Sequence, residues 1–192
     1  MALPRFRTGG PDDAGAVALL HADSWRRNYR GVYADSYLDG DLAADREAVW
    51  SARLAAPGDS LTVLAEDGAG PVGFVHVVFG DDPHWGSLVD NLHVAHERRR
   101  RGIGEALLTR AAQAVAARAP GAPLYLWVHA RNTSAQGFYA ALGGRNVGTA
   151  PVSPPAGGRS GCTAPPRSTA SPGPTPPPSA VPPPGEPPAP GR

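Results

Sequence analysis

The sequence predicts a mixed α/β domain, a central and mostly antiparallel sheet flanked by helices, followed by a proline-rich tail. Three observations carry this. Strand-like apolar runs succeed one another between residues 60 and 94 with turn residues between them, the pattern of an antiparallel meander. Residues 102–119 repeat apolar side chains at helical spacing and are followed by a second strand-like run at 123–130. The composition breaks near residue 150: residues 151–192 hold 16 of the 23 prolines and no Leu, Ile, Met, Phe, Tyr or Trp.

Taken in order, Arg5-Phe6-Arg7 reads as a short first strand. Gly10-Pro11-Asp12-Asp13 then starts a helix, with Pro early and acids in the first turn where the helix dipole favours them. Val17, Leu20, His21, Ser24 and Asn28 recur at helical spacing, and Gly31 ends the pattern. A second helix is expected over Leu42–Leu54. Strands follow at 60–67, 72–79 and 86–94, separated by a Gly-containing turn and by Asp81-Asp82-Pro83-His84. The helix over Gly102–Ala119 places Ile103, Leu107, Ala111 and Val115 on one face, and Pro120-Gly121 stops it. The run 123–130 is dense enough in apolar residues to be expected buried on both faces. Residues 133–144 form a short helix, capped by Asn132 or Thr133 and ended by Gly143-Gly144.

Composition excludes several classes. Residues 1–149 carry 15 Arg against 16 Asp plus Glu, and the whole chain has a net charge of +1, so a general nucleic-acid binder is not expected. The single Cys162 excludes an internal disulfide and a Cys-based zinc site. No run approaches the ~18 apolar residues of a membrane span, and the first residues do not read as a signal peptide, so a cytoplasmic protein is expected. Eighteen Arg with no Lys, and abundant Ala, Gly and Pro, imply GC-rich coding DNA and a bacterial source.

The four arginines Arg98–Arg101 stand just before Gly102-Ile103-Gly104 and the helix beyond them. Positive side chains at a helix N-terminus are disfavoured, because the dipole already makes that end positive. Free N–H groups, small residues and nearby cations together make a ready phosphate site, so an anion belongs here unless the run is simply solvated. The stretch lacks G-x-x-x-x-G-K-[ST] and the third glycine of the dinucleotide fingerprint. Arg99-Arg100-Arg101-Gly102-Ile103-Gly104 resembles the R/Q-x-x-G-x-G/A acyl-CoA motif of the Gcn5-related N-acetyltransferases (GNAT). Asn132-Thr133-Ser134-Ala135-Gln136-Gly137-Phe138-Tyr139 with Leu142-Gly143 resembles that family's N-x-x-A-x-x-F-Y-x-x-L-G segment. The two lie in order with one strand between them, and the resemblance covers residues 5–149.

The resemblance implies the GNAT fold and transfer of an acetyl group from acetyl-CoA to a primary amine of a small molecule or protein, by direct attack on the thioester. It implies acetyl-CoA as cosubstrate and no metal; a homodimer is compatible with it. Backbone N–H groups of Arg99, Arg100, Arg101, Gly102, Ile103 and Gly104 would hold the pyrophosphate, and Gly104→Val would exclude it sterically. The strand edge at Leu92, His93 and Val94 would pair with the pantetheine arm, with the Leu92 N–H as oxyanion donor and Asn132 as a further contact. Tyr139 would protonate the leaving thiolate. Asp90 is the candidate base and His93 the alternative; strand alternation sends the two to opposite faces unless a bulge intervenes. His93-x-x-His96-Glu97 has no spacing of a helix-borne zinc pair.

In this family the first helices wall the acceptor pocket. Residues 23–38 hold Trp25, Tyr29, Tyr33 and Tyr37 with Arg26, Arg27 and Arg30 and with Asp23, Asp35 and nearby Asp39, which would suit either an ammonium-bearing acceptor or plain helix packing beside a charged surface. Residues 145–152 can begin the penultimate strand, but no later stretch of the chain reads as the family's last strand. Residues 150–192 therefore read as a disordered tail outside a 1–149 domain, either a genuine Pro-rich ligand segment or the product of a reading-frame shift near residues 147–155. On that ground a CoA-binding relative of impaired activity is the alternative to an active enzyme.

Overall fold

The computed structural model describes residues 4–151 and 167–172. Seven strands form one sheet: β1 (Arg5–Thr8), β2 (Ser60–Asp67), β3 (Gly70–Asp82), β4 (Gly86–Val94), β5 (Leu124–His129), β6 (Gly148–Pro151) and β7 (Arg167–Pro172). Their order is β1-β2-β3-β4-β5-β7-β6, and every neighbouring pair is antiparallel except β4–β5. Five helices accompany it: α1 (Ala14–Asn28), α2 (Asp35–Leu38), α3 (Leu42–Ala55), α4 (Ile103–Arg118) and α5 (Thr133–Ala141).

The meander follows from its turns. At the β2–β3 corner the Asp67 carboxylate accepts the Ala69 N–H at 2.9 Å, and at the β3–β4 corner Asp82 accepts the N–H groups of His84 and Trp85 at 2.7 and 2.8 Å. Such side-chain turns satisfy backbone donors that a tight reversal leaves unpaired. Parallel β4 and β5 cannot be joined by a tight turn, and α4 supplies the crossover.

Helices cover the sheet on both faces. On one, α4 presents Ile103, Leu107, Leu108, Ala111 and Val115 to Val63, Ala65, Val75, Val77, Val89, Leu126 and Val128. The four residues read from the sequence as one helical stripe are all buried. Leu107 is fully buried, so Leu107→Ala is expected to cost about 2–5 kcal/mol. On the other face, α1 and α3 pack Val17, Trp50 and Leu54 against Leu64 and Phe74.

β4 carries the irregularity that matters most for the site. His76 pairs with Asn91 while Val77 pairs with Val89, so Asp90 is one extra residue, a β-bulge. The bulge resets the alternation. Val89, Leu92 and Val94 all join the α4-side core, whereas Asp90 reaches Arg53 of α3 and His93 reaches Ser24 of α1. The two candidate bases therefore share a face.

The sequence reads residues 150–192 as a tail without a last strand; among the described residues Arg167–Pro172 lies between β5 and β6, pairing antiparallel with both, from Tyr125↔Pro172 to His129↔Ser168 and from Gly148↔Ala170 to Pro151↔Arg167. This strand is held by its backbone ladder and had no apolar alternation to announce it. β5 is not buried on both faces: Leu124, Leu126 and Val128 meet α4, but Trp127 is 47% exposed, because α1 packs on β3 and β4 rather than on β5. The one-turn α2 had no periodic signal of its own. The remaining tail residues, 152–166 and 173–192, on which the expectation of disorder falls, lie outside the described residues.

Candidate active site

β4 and β5 are hydrogen-bonded only from Ser87↔Leu124 to Val89↔Leu126, and beyond that point they splay apart. A cavity of about 1570 Å³ fills the gap. That exceeds the roughly 300–1,000 Å³ of a pocket for one small ligand, so two reactants fit together. One end is lined by α1 and α3, the middle by Asp90–Val94 and Leu126–His129, and the other end by Arg98–Arg100, Gly102–Glu105 and α5.

The ladder fixes which backbone groups face the gap. Ala95 donates to the Val72 carbonyl at 2.8 Å, so Ala95 and Val72 are a hydrogen-bonded pair. Antiparallel pairs alternate. His93 opposite Phe74 and Asn91 opposite His76 are therefore bonded to β3, while Leu92 and Val94 turn their N–H and C=O groups away from β3, into the splay. Of the three strand-edge candidates, Leu92 and Val94 offer backbone to the cavity and His93 offers its side chain.

The arginine run forms a strained loop at the start of α4. Arg100 has φ 58°, the only positive φ of a non-Gly residue among the described residues, and Gly102 follows at φ 75°. A left-handed conformation costs an L-residue about 1–2 kcal/mol. α4 starts at Gly102 with no side-chain cap, whereas Asp41 caps α3 and Asn132 caps α5, its Oδ1 accepting the Ala135 N–H at 3.1 Å. Uncapped N–H groups on Ile103, Gly104 and Glu105 thus stand at the cavity wall, with the dipole favouring an anion. Ile103 contributes only its backbone, since its side chain is in the core. Arg98 binds Asp67 at 2.8 Å and ties the loop to the β2–β3 corner. Arg99 points back toward the Val94 carbonyl at 3.5 Å, and Arg101 is exposed.

Gly104 has a second duty. A Cβ built there would lie 3.4 Å from Cζ of Phe138 on α5. The close approach of α4 and α5 carries Tyr139 to the cavity wall, where it is half-buried beside Asn132 and Ala135. Burial, with Tyr29 adding to it, pushes the Tyr139 hydroxyl well above the usual tyrosine range, so it holds its proton at every ordinary pH.

At the α1–α3 end the cavity is lined by His21, Ser24, Trp25, Asn28, Tyr29, Arg46 and Arg53. His93 Nδ1 lies 2.8 Å from Ser24 Oγ, and burial, helped by Arg99 and opposed by Asp90, lowers its pKa to about 4. Asp90 accepts from Arg53 at 2.5 Å and from Asn91 at 2.7 Å. The acids that were candidates to receive an ammonium group do not line the cavity: Asp23 binds Arg27, and Asp35 and Asp39 bind Arg30. Tyr33 and Tyr37 pack with Trp25, Leu38 and Leu42. Sequence reasoning missed Arg46, Arg53, His21 and His129 as cavity residues. His21 sat in a helical stripe and His129 at the end of an apolar run, and both read as packing positions. Among the described residues no group of three or more His, Cys, Asp or Glu could hold a metal, and no helix is long and apolar enough to cross a membrane.

The chain is similar in sequence and in fold to known proteins. The Acetyltransferase (GNAT) family matches residues 21–144. "Probable N-acetyltransferase Rv2775" of Mycobacterium tuberculosis is 34% identical over 140 residues, covering 70% of this chain and 76% of that protein. In fold, the chain is similar to the PaiA N-acetyltransferase of Thermoplasma acidophilum solved with coenzyme A (TM-score 0.66, 17% identity, 90% of this chain and 99% of the other). It is likewise similar to YncA of Salmonella typhimurium, a putative acetyltransferase solved with acetyl-CoA (TM-score 0.62, 15% identity, 94% and 98%). Motifs, topology and these likenesses agree: the chain belongs to the GNAT family of acetyltransferases.

Proposed function

We propose that this chain transfers the acetyl group of acetyl-CoA to a primary amine by direct attack on the thioester. The observation that carries the reading is the juxtaposition, in one cavity, of an uncapped α4 N-terminus, outward-facing backbone of Leu92 and Val94, and a proton-bearing Tyr139. Acetyl-CoA supplies the activated acetyl group. The N–H groups of the Arg99–Gly104 loop and the first turn of α4 bind its pyrophosphate, and Val94 and Asn132 align its arm. The Leu92 N–H donates to the thioester oxygen as negative charge gathers there. Tyr139 donates its proton to the departing sulfur. Asp90 receives the proton released by the amine, through water; His93, neutral at pH 7, accepts a hydrogen bond on that path. The alternative reading is a coenzyme-A-binding relative of impaired activity, which would bind coenzyme A without turning over.

Thiol release from acetyl-CoA with a panel of amines tests the reading. Release should require an amine, and Tyr139→Phe should lower kcat by about 100-fold or more with coenzyme A binding retained. Bound coenzyme A with no amine-dependent release from any amine would overturn it.

A further inference from the structure

The acceptor end of the cavity is rich in fixed donors. Trp50 donates its indole N–H to His21 Nδ1 at 2.9 Å. An indole nitrogen can only donate, so Nδ1 of His21 is the bare nitrogen and its proton sits on Nε2. That Nε2–H is buried without a hydrogen-bond partner among the described residues, on a side chain that lines the cavity and is 3% exposed as a residue. A buried donor left unpaired is costly, and a ligand that supplies the acceptor offsets that cost.

The charges around it agree. Arg46 is 5% exposed, holds Asp45 through Nη2 at 2.7 Å, and lies over the Trp25 ring at 4.7 Å; the His21 ring meets the same indole at 5.0 Å. Burial, with smaller contributions from His93, Arg46 and Arg53, keeps His21 neutral. Among the described residues Asp90 is the only carboxylate lining this end, and it is bound to Arg53. Each guanidinium is paired with one carboxylate, Arg46 with Asp45 and Arg53 with Asp90, so this end presents hydrogen-bond donors, the locked imidazole N–H among them, more than open acceptors, a surface that suits an anion.

We propose that the amine acceptor carries a carboxylate, received by the Arg46 guanidinium and the Nε2–H of His21 and drawn in by Arg53. The inference rests on the acetyltransferase reading and narrows it to amino-acid-like acceptors, in place of ammonium recognition by aromatic and acidic side chains. The same cationic surroundings favour the neutral form of the bound amine, the form that attacks a thioester.

The test is amine-dependent thiol release with matched sets: an amino acid, its amide, the decarboxylated amine, and the corresponding aminoalkylphosphonate. The expected result is a kcat/KM at least about tenfold higher for the amino acid than for its amide and decarboxylated partners. Arg46→Gln and Arg53→Gln should each shrink that ratio while leaving the KM for acetyl-CoA unchanged. Arg53 is more exposed than Arg46, so its variant reports even if Arg46→Gln fails to fold. Turnover in which amide or decarboxylated amine equals the amino acid overturns the carboxylate assignment alone. A preference for the phosphonate overturns it in favour of a tetrahedral anion. No turnover with any amine overturns both this inference and the acetyltransferase reading.

Discussion

The indole of Trp50 and the imidazole of His21 are joined by one buried hydrogen bond of 2.9 Å, which decides the tautomer of the histidine facing the acceptor. Trp50→Phe removes the donor that holds His21 Nδ1. A buried acceptor is then left unsatisfied, and the smaller ring leaves a void. The expected loss of stability is about 2–4 kcal/mol, read by chemical denaturation. Acceptor KM should rise while the KM for acetyl-CoA stays the same, since the arm and pyrophosphate contacts lie elsewhere in the cavity.

The loop before α4 makes a distinct prediction. Arg100 holds a left-handed backbone that glycine adopts freely, and its amide, not its side chain, is proposed to face the pyrophosphate. Arg100→Gly should therefore keep coenzyme A affinity within a few-fold and leave stability unchanged or higher by up to about 1 kcal/mol. Gly102→Val should do the opposite, costing about 1–2 kcal/mol and weakening coenzyme A binding. Melting curves with and without coenzyme A distinguish the two.

Gly104→Val acts through α5 as well as through the cofactor. The added methyl groups would press on Phe138, whose neighbour is Tyr139. A stability loss of about 1–3 kcal/mol and a fall in kcat are expected even at saturating acetyl-CoA. Gly104→Val together with Phe138→Leu should recover stability first. If the double variant is no more stable than the single one, the α4–α5 contact is not the cause.

Acid should loosen the domain before it damages the arginine pairs. His76 and His93 each have a folded pKa lowered from 6.5 to about 4, chiefly by burial. The unfolded chain then binds more protons between those values, so stability is complete above pH 6.5 and falls as the pH drops toward 4. By pH 5 each contributes a loss of about 2 kcal/mol. Denaturation midpoints between pH 7 and 5 measure the slope, to which neutral His21 also adds, and His93→Asn should remove its own share of about 2 kcal/mol.

Much of this architecture was legible because its elements bury periodic faces. The stripe Ile103, Leu107, Ala111, Val115 and the meander of β2, β3 and β4 announce themselves. β7 did not, because Arg167–Pro172 offers no large apolar side chain and is placed by ladder bonds to strands far away in sequence. At the site, the glycine loop and the Asn132–Tyr139 helix were visible as local motifs. His21, Arg46 and Arg53 were not, since their meaning arises only when α1 and α3 meet across the sheet. The shared face of Asp90 and His93 hung on a bulge that spacing alone cannot reveal.

That bulge has a consequence for how this sequence can vary. Replacing residue 90 exchanges one functional group. Deleting it would turn half of β4 over by one pleat, either sending Val89 to the helix α3 side or trading Leu92 and Val94 for His93 against α4. Natural relatives should accordingly differ at this position far more readily by substitution than by a change in length between residues 86 and 94.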